Sequence, residues 1–95
     1  MAKLSSSEIE DQLKALPGWK LMEGQLVKEF EFPSFPDLIS FLVKVGFLAE
    51  SADHHPDMDI RYRRLTVRAS THSENGITEK DFQLIKQIEA AISLR

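Results

Sequence analysis

The sequence predicts an α+β domain in the order α-β-β-α-β-β-α, a four-stranded antiparallel sheet with helices packed on one face. Three observations predict it. Two stretches of alternating apolar and polar residues, 25–32 and 65–72, each follow a shorter strand across a tight turn, as β-hairpins do. Two long segments, 35–52 and 78–94, carry apolar residues at helical spacing. Stop signals separate the segments, chiefly Pro17-Gly18, Glu23-Gly24, Pro56 and Asn75-Gly76. Hairpins and helices of this kind are stable when one apolar sheet face is covered by the helices.

Each element has its own warrant. Ser5 with Glu8 fits a capping box, with Ser7 and Glu10 as a second option, so a helix is expected over residues 6–15. Ile9, Leu13 and Leu16 give it a narrow apolar face, and Pro17-Gly18 ends it. Trp19 opens a short strand to Met22. In the strand over 25–32, Leu26, Lys28, Phe30 and Phe32 share the side meant for the core. Ser34 caps the next helix, with Pro36 in a first turn where no amide donor is missed. That helix, 35–52, is too apolar for a single buried stripe, so a second face should meet a neighbour or a second subunit. Gly46 within it costs about 1 kcal/mol against alanine and suggests close approach of another backbone. Pro56 drives His55 toward extended geometry, so the helix should stop near Asp53 or His54. A strand over 57–62, a turn near Arg63-Arg64 and a strand over 65–72 follow, with His72 ending the last on its more polar face. Thr78 with Asp81 caps a final helix running to about Leu94, whose apolar face is Phe82, Ile85, Ile88, Ala91 and Ile92.

Ninety-five residues, 42% of them hydrophobic and 28% charged, make one globular domain spanning 1–95. A net charge of -3 argues against nucleic acid as the main partner, because phosphate binding needs a basic surface. The chain has no cysteine, which removes disulfides and thiolate metal sites. No apolar run approaches the ~20 residues of a membrane span, and the N-terminal residues have no apolar core of the signal-peptide kind. A soluble, cytoplasmic protein is expected.

The chemistry is concentrated in residues 50–81, which hold all three histidines, His54, His55 and His72, and the only tyrosine, Tyr62. Histidine takes and gives protons near neutral pH. Two or three of them at one site suit a reaction that removes a proton from one atom and delivers one to another. Glu50, Asp53 and Asp81 are carboxylates that could orient the rings, and Trp19 could offer a flat wall to a planar substrate. Plainer readings stand beside these. Three histidines is an ordinary number for surface groups. Zinc is poorly served by adjacent histidines compared with i, i+2 on a strand or i, i+4 on a helix. The arginines at 61, 63, 64 and 68 could bind an anion or simply face acidic groups on a solvated hairpin, and a Trp after Pro-Gly is more often core than platform. The residues by themselves lead to an acid–base site at a helix-to-strand break, with no nucleophile signature and no phosphate loop.

These residues resemble a known family, the pterin-4a-carbinolamine dehydratases, also called the dimerization cofactor of a homeodomain transcription factor. The family's pattern is a charged residue, three spacers, His-His or His-Asn, Pro or a small residue, an aromatic, His or Trp ten residues later, and a further Asp. Glu50, His54-His55-Pro56, Tyr62, His72 and Asp81 match it. Leu16-Pro17-Gly18-Trp19 and the stretch from Thr71-His72-Ser73 to Gly76-Ile77-Thr78-Glu79-Lys80-Asp81 are also similar, so the resemblance covers essentially the full length.

The resemblance implies an enzyme that dehydrates a 4a-hydroxytetrahydropterin, such as 4a-hydroxytetrahydrobiopterin, to the quinonoid dihydropterin in tetrahydrobiopterin recycling. It implies no metal and no redox cofactor. By the same resemblance His54 and His72 transfer protons, and His55 binds the pterin and serves one stereoisomer of the substrate. Asp81 and Glu50 orient the histidines, and Trp19 and Asp53 line the pocket. It further implies a homodimer or homotetramer, with an aromatic amino-acid hydroxylase or a regulatory protein as a partner. The competing hypothesis is a pterin- or protein-binding homo-oligomer with little turnover. A role in another pterin pathway, such as molybdenum cofactor metabolism, is a weaker third.

Overall fold

The computed structural model describes residues 2–93. The elements are α1 (Ser6–Leu13), β1 (Lys20–Met22), β2 (Gln25–Glu31), α2 (Phe35–Ala52), β3 (Asp57–Arg61), β4 (Arg64–Ala69), a one-turn 3-10 helix (His72–Glu74) and α3 (Glu79–Ser93). The four strands form one antiparallel sheet in the order β1-β2-β4-β3. The α+β architecture and the element order are as expected. The expected end of α3 at Leu94 lies outside the described residues.

The local chemistry explains the boundaries. The Ser5 hydroxyl accepts from the Glu8 amide while the Glu8 carboxylate accepts from the Ser5 amide, closing the capping box on α1. Those bonds, the backbone one first, hold the Glu8 carboxyl below its ordinary range. The helix ends two residues earlier than expected, because the amides of Lys14, Ala15 and Leu16 bond three residues back and tighten the exit before Pro17. Gly18 then takes φ +88° beneath the Lys28 side chain, where an added Cβ would lie 2.9 Å from Cε. Ser34 caps α2 by accepting from the Asp37 amide, with Pro36 in the first turn. The β3–β4 turn falls at Tyr62-Arg63, one residue earlier than expected, with Tyr62 at φ 54°.

The ladder registers define the two sheet faces. Leu26 opposite Ala69, Lys28 opposite Val67 and Phe30 opposite Leu65 put the apolar residues of β2 and β4 on one side, where Met58 and Ile60 of β3 join them. The other side carries Glu29, Glu31, Arg64, Thr66, Arg68, Asp57 and Asp59, so only the first face is covered by helices. Leu38, Phe41, Val45 and Ala49 form the buried stripe of α2, and Phe82, Leu84, Ile85, Ile88 and Ala91 that of α3. Phe41 packs on Phe30 and Phe32 at ring separations of 5.7 and 5.4 Å. Gly46 faces open space within the chain, so the close backbone approach suggested for it is not made here.

Candidate functional site

α2 stops at Asp53, which adopts a left-handed conformation (φ 50°). The Asp53 amide bonds to the Glu50 carbonyl and the His54 amide to the Ala49 carbonyl, both at 3.1 Å, the paired bonds of a Schellman motif. The reversal folds His54 back beneath the end of its own helix. His55 and Pro56 then lead extended into β3.

His54 meets α3 there. Its Nε2 lies 2.5 Å from Oδ1 of Asp81, a carboxylate with no exposed surface. Asp81 is also the third residue of the α3 start, and its Oδ2 accepts from the Thr78 amide at 3.0 Å and the Thr71 hydroxyl at 2.8 Å. The Thr71 hydroxyl has one proton, spent on Asp81, so the Thr78 hydroxyl 2.9 Å away donates to Thr71. Thr78 in turn accepts from the Lys80 amide. Every buried side-chain polar atom among the described residues has a partner. With Oδ2 filled by two donors, Oδ1 accepts from His54 Nε2–H. That bond leaves Nδ1 as the free ring nitrogen.

His55 and Glu50 pair separately at 2.9 Å on the surface, where an ion pair contributes little. Asp53 is exposed, and its side chain makes no hydrogen bond or ion pair among the described residues. His72 is not at the end of a strand. β4 stops at Ala69, Thr71 turns inward to Asp81 and bridges to Gly76, and His72 starts the 3-10 turn that Asn75 closes at φ 54°. The ring is thereby lifted off the sheet and exposed. It lines a cleft of about 270 Å³ together with the β1–β2 turn (Glu23-Gly24), Gln25, Ser70, Thr71, Asn75 and Gly76. Neither His54 nor His55 lines that cleft. They stand at the same end of the sheet, because Asp57 pairs with Arg68, and Leu26 with Ala69, and Thr71 joins His72 to the Asp81 network.

Trp19 takes the core placement that its position after Pro-Gly favours, and not the pocket-lining one that the resemblance implies. It is 4% exposed, donates its indole N–H to Glu89 Oε1 at 2.8 Å and meets Phe30 edge-on at 6.0 Å. Glu89, which also pairs with Lys28, lies two turns along α3 from Asp81, ~12 Å at the helical rise. The flat wall expected of Trp19 is turned into the core. The arginine hairpin does face acidic groups: Arg61 lies 3.5 Å from Asp59 and Arg64 3.8 Å from Glu31, around a hollow of about 510 Å³.

Thr71 was legible only in part. The alternation puts it on the apolar side of β4 with Leu65, Val67 and Ala69, and a polar residue there is the signal of a buried network. Thr78 reads from sequence only as a cap. The turn residues Glu23 and Gln25 carry no sequence signal for the cleft they line.

A family model described as pterin 4 alpha carbinolamine dehydratase matches residues 2–91. A protein of Roseiflexus sp. (strain RS-1), named "Putative pterin-4-alpha-carbinolamine dehydratase", is 49% identical over 87 residues, covering 92% of this chain and 94% of its own. A protein of the same name from Roseiflexus castenholzii is 50% identical over 91 residues, covering 96% and 98%. The crystal structure of a transcriptional coactivator/pterin dehydratase from Brucella melitensis superposes with a TM-score of 0.88 at 36% identity, covering 93% of this chain and 96% of that one. A pterin dehydratase-like RuBisCO assembly factor of the alpha-carboxysome shares the fold, with a TM-score of 0.68 at 18% identity over 79% of this chain and 89% of that one.

Proposed function

This chain belongs to the pterin 4 alpha carbinolamine dehydratase family, and we propose that it removes water from a 4a-hydroxytetrahydropterin by histidine acid–base catalysis. In this reaction the C4a–O bond breaks and the hydroxyl leaves as water after taking a proton. The N5–H proton goes to a base, and the N5 electron pair forms the C4a=N5 bond of the quinonoid dihydropterin. The 4a-hydroxyl is what aromatic amino-acid hydroxylation leaves on the cofactor, so the reaction gives the quinonoid form that a separate two-electron reduction returns to use.

The observation that carries the reading is the His54–Asp81 pair. A ring held by a fully buried carboxylate presents one free nitrogen in a set direction, and the carboxylate offsets the charge gained when that nitrogen takes a proton. In this proposal His54 Nδ1 receives the N5 proton and His72 supplies the proton to the departing hydroxyl. His55, oriented by Glu50, binds the pterin and serves one stereoisomer. Asp53 lines the entrance.

The test is stopped-flow absorbance with chemically generated 4a-hydroxytetrahydropterin. The wild-type protein accelerates its dehydration, and His54→Ala and His72→Ala each lose about 10²- to 10⁴-fold of that acceleration with unchanged circular dichroism. Unchanged rates in both variants would remove the histidines from the mechanism. A second reading, a pterin- or protein-binding homo-oligomer with little turnover, draws on the outward face of α2, where Val43 and Phe47 are 54% and 74% exposed. Absence of any acceleration by the wild-type protein would favour it.

A further inference from the structure

We propose that Glu23 determines which heterocycle enters the cleft beside His72, by binding the donor edge of the pterin pyrimidine ring. The inference rests on the pterin reading above and assigns a specificity residue within it. Glu23 is the one carboxylate among the residues lining that cleft, which is near the lower end of small-ligand site volumes at about 270 Å³. It lines the same cleft as His72, from the exposed tip of the β1–β2 turn.

Two further observations bear on Glu23. Its carboxylate makes no hydrogen bond or ion pair among the described residues, whereas its neighbour Gln25 spends its amide on Asp57 at 3.4 Å. Its backbone holds φ 51°, followed by Gly24 at φ 77°. Asn, Asp or Gly are the residues such a first turn position favours. A glutamate there departs from the local rule at the mouth of a cleft, where functional residues are expected to do so.

The chemistry that fits is a pair of parallel donors. The 2-amino group and N3–H of a pterin lie side by side and match the two oxygens of one carboxylate, in the geometry by which a carboxylate accepts a guanidinium fork. The reacting C4a–N5 bond lies on the other side of that ring. A pterin held at Glu23 by its donor edge therefore points C4a away from Glu23, within the cleft that His72 also lines. O4, an acceptor, is repelled by the carboxylate, which disfavours the flipped orientation.

The experiment pairs turnover with binding of two stable probes, 2-amino-4-oxopteridine and its 4-oxopteridine counterpart lacking the amino group, followed by ligand fluorescence. The proteins are wild type, Glu23→Gln and Glu23→Asn, the last favouring the left-handed turn so that folding is preserved. The expected result is an amino-pteridine dissociation constant and a KM raised about ten- to a hundredfold in both variants. The kcat stays within about twofold, as for loss of uniform binding. The probe without the amino group keeps only N3–H for Glu23, so it binds wild type more weakly and loses less affinity in the variants than the amino-pteridine does. Turnover by wild type with unchanged amino-pteridine affinity in Glu23→Gln overturns the assignment and leaves the dehydratase standing. Selective binding by wild type, lost in the variants, without turnover supports Glu23 and retires the reaction. Equal weakening of both probes also overturns it, because the donor edge would not be what Glu23 reads. Neither binding nor turnover by wild type overturns both.

Discussion

Asp81 ties three segments together through one side chain. It caps the start of α3 through the Thr78 amide, anchors β4's exit through Thr71 and holds His54. A buried carboxylate survives because three donors surround it and leave no lone charge unsatisfied. Asp81→Asn keeps the shape but turns one acceptor edge into a donor that faces other donors. The expected cost is about 1–3 kcal/mol of stability, read as a lowered midpoint in chemical denaturation. Turnover should fall at least tenfold, and His54→Ala added to Asp81→Asn should lower it much less than His54→Ala does alone. Full additivity would mean that Asp81 and His54 act independently, contrary to their direct contact.

At the scale of elements, the end of α2 is the device that aims His54. Pro56 explains why the chain runs on extended, but the helix is stopped two residues earlier than His55 by the left-handed Asp53 and the two bonds around it. Asp and Asn tolerate that conformation, glycine adopts it freely and β-branched residues do not. Asp53→Gly should therefore retain the fold, while Asp53→Val should cost about 1–2 kcal/mol and slow dehydration more than the glycine variant does, by displacing the ring. Denaturation midpoints beside stopped-flow rates on the two variants check this. Equal behaviour of the glycine and valine variants would separate the turn from the chemistry. The exit of β4 is the matching device for His72: Thr71 is drawn inward to Asp81, so the next residue is turned out.

The whole molecule is one-sided. The helices cover one sheet face, and no described helix is long and apolar enough to cross a membrane. The outward face of α2 keeps Phe35, Val43 and Phe47 exposed. Leu38, Phe41, Val45 and Ala49 already supply its buried stripe, so the second apolar face is surplus to the monomer's core. A homo-oligomer associating through this face is the proposed explanation. Light scattering of the wild-type protein should give a multiple of the 10.8 kDa chain mass. Phe47→Glu should lower that mass with an unchanged circular dichroism spectrum. A wild-type monomer would end this account of the α2 surface.

Composition, period and punctuation determined most of this architecture. The α2 bounds, the capping of all three helices and the positions of both hairpins were readable, because caps, turns and alternation act between residues a few positions apart. The carboxylate partners of His54 and His55, Asp81 and Glu50, were readable from adjacency and family spacing. Three features were not. The Trp19 indole found Glu89, His72 left its strand, and Glu23 came to line one cleft with His72. Each depends on contacts between distant segments: Trp19 with Glu89, Thr71 with Asp81, and the β1–β2 turn with the chain after β4. His54 and Asp81 themselves are 27 residues apart. Only the packing of α2 and α3 on one sheet face brings the end of one helix to the start of the other, because burying that carboxylate requires every donor around it to arrive at once.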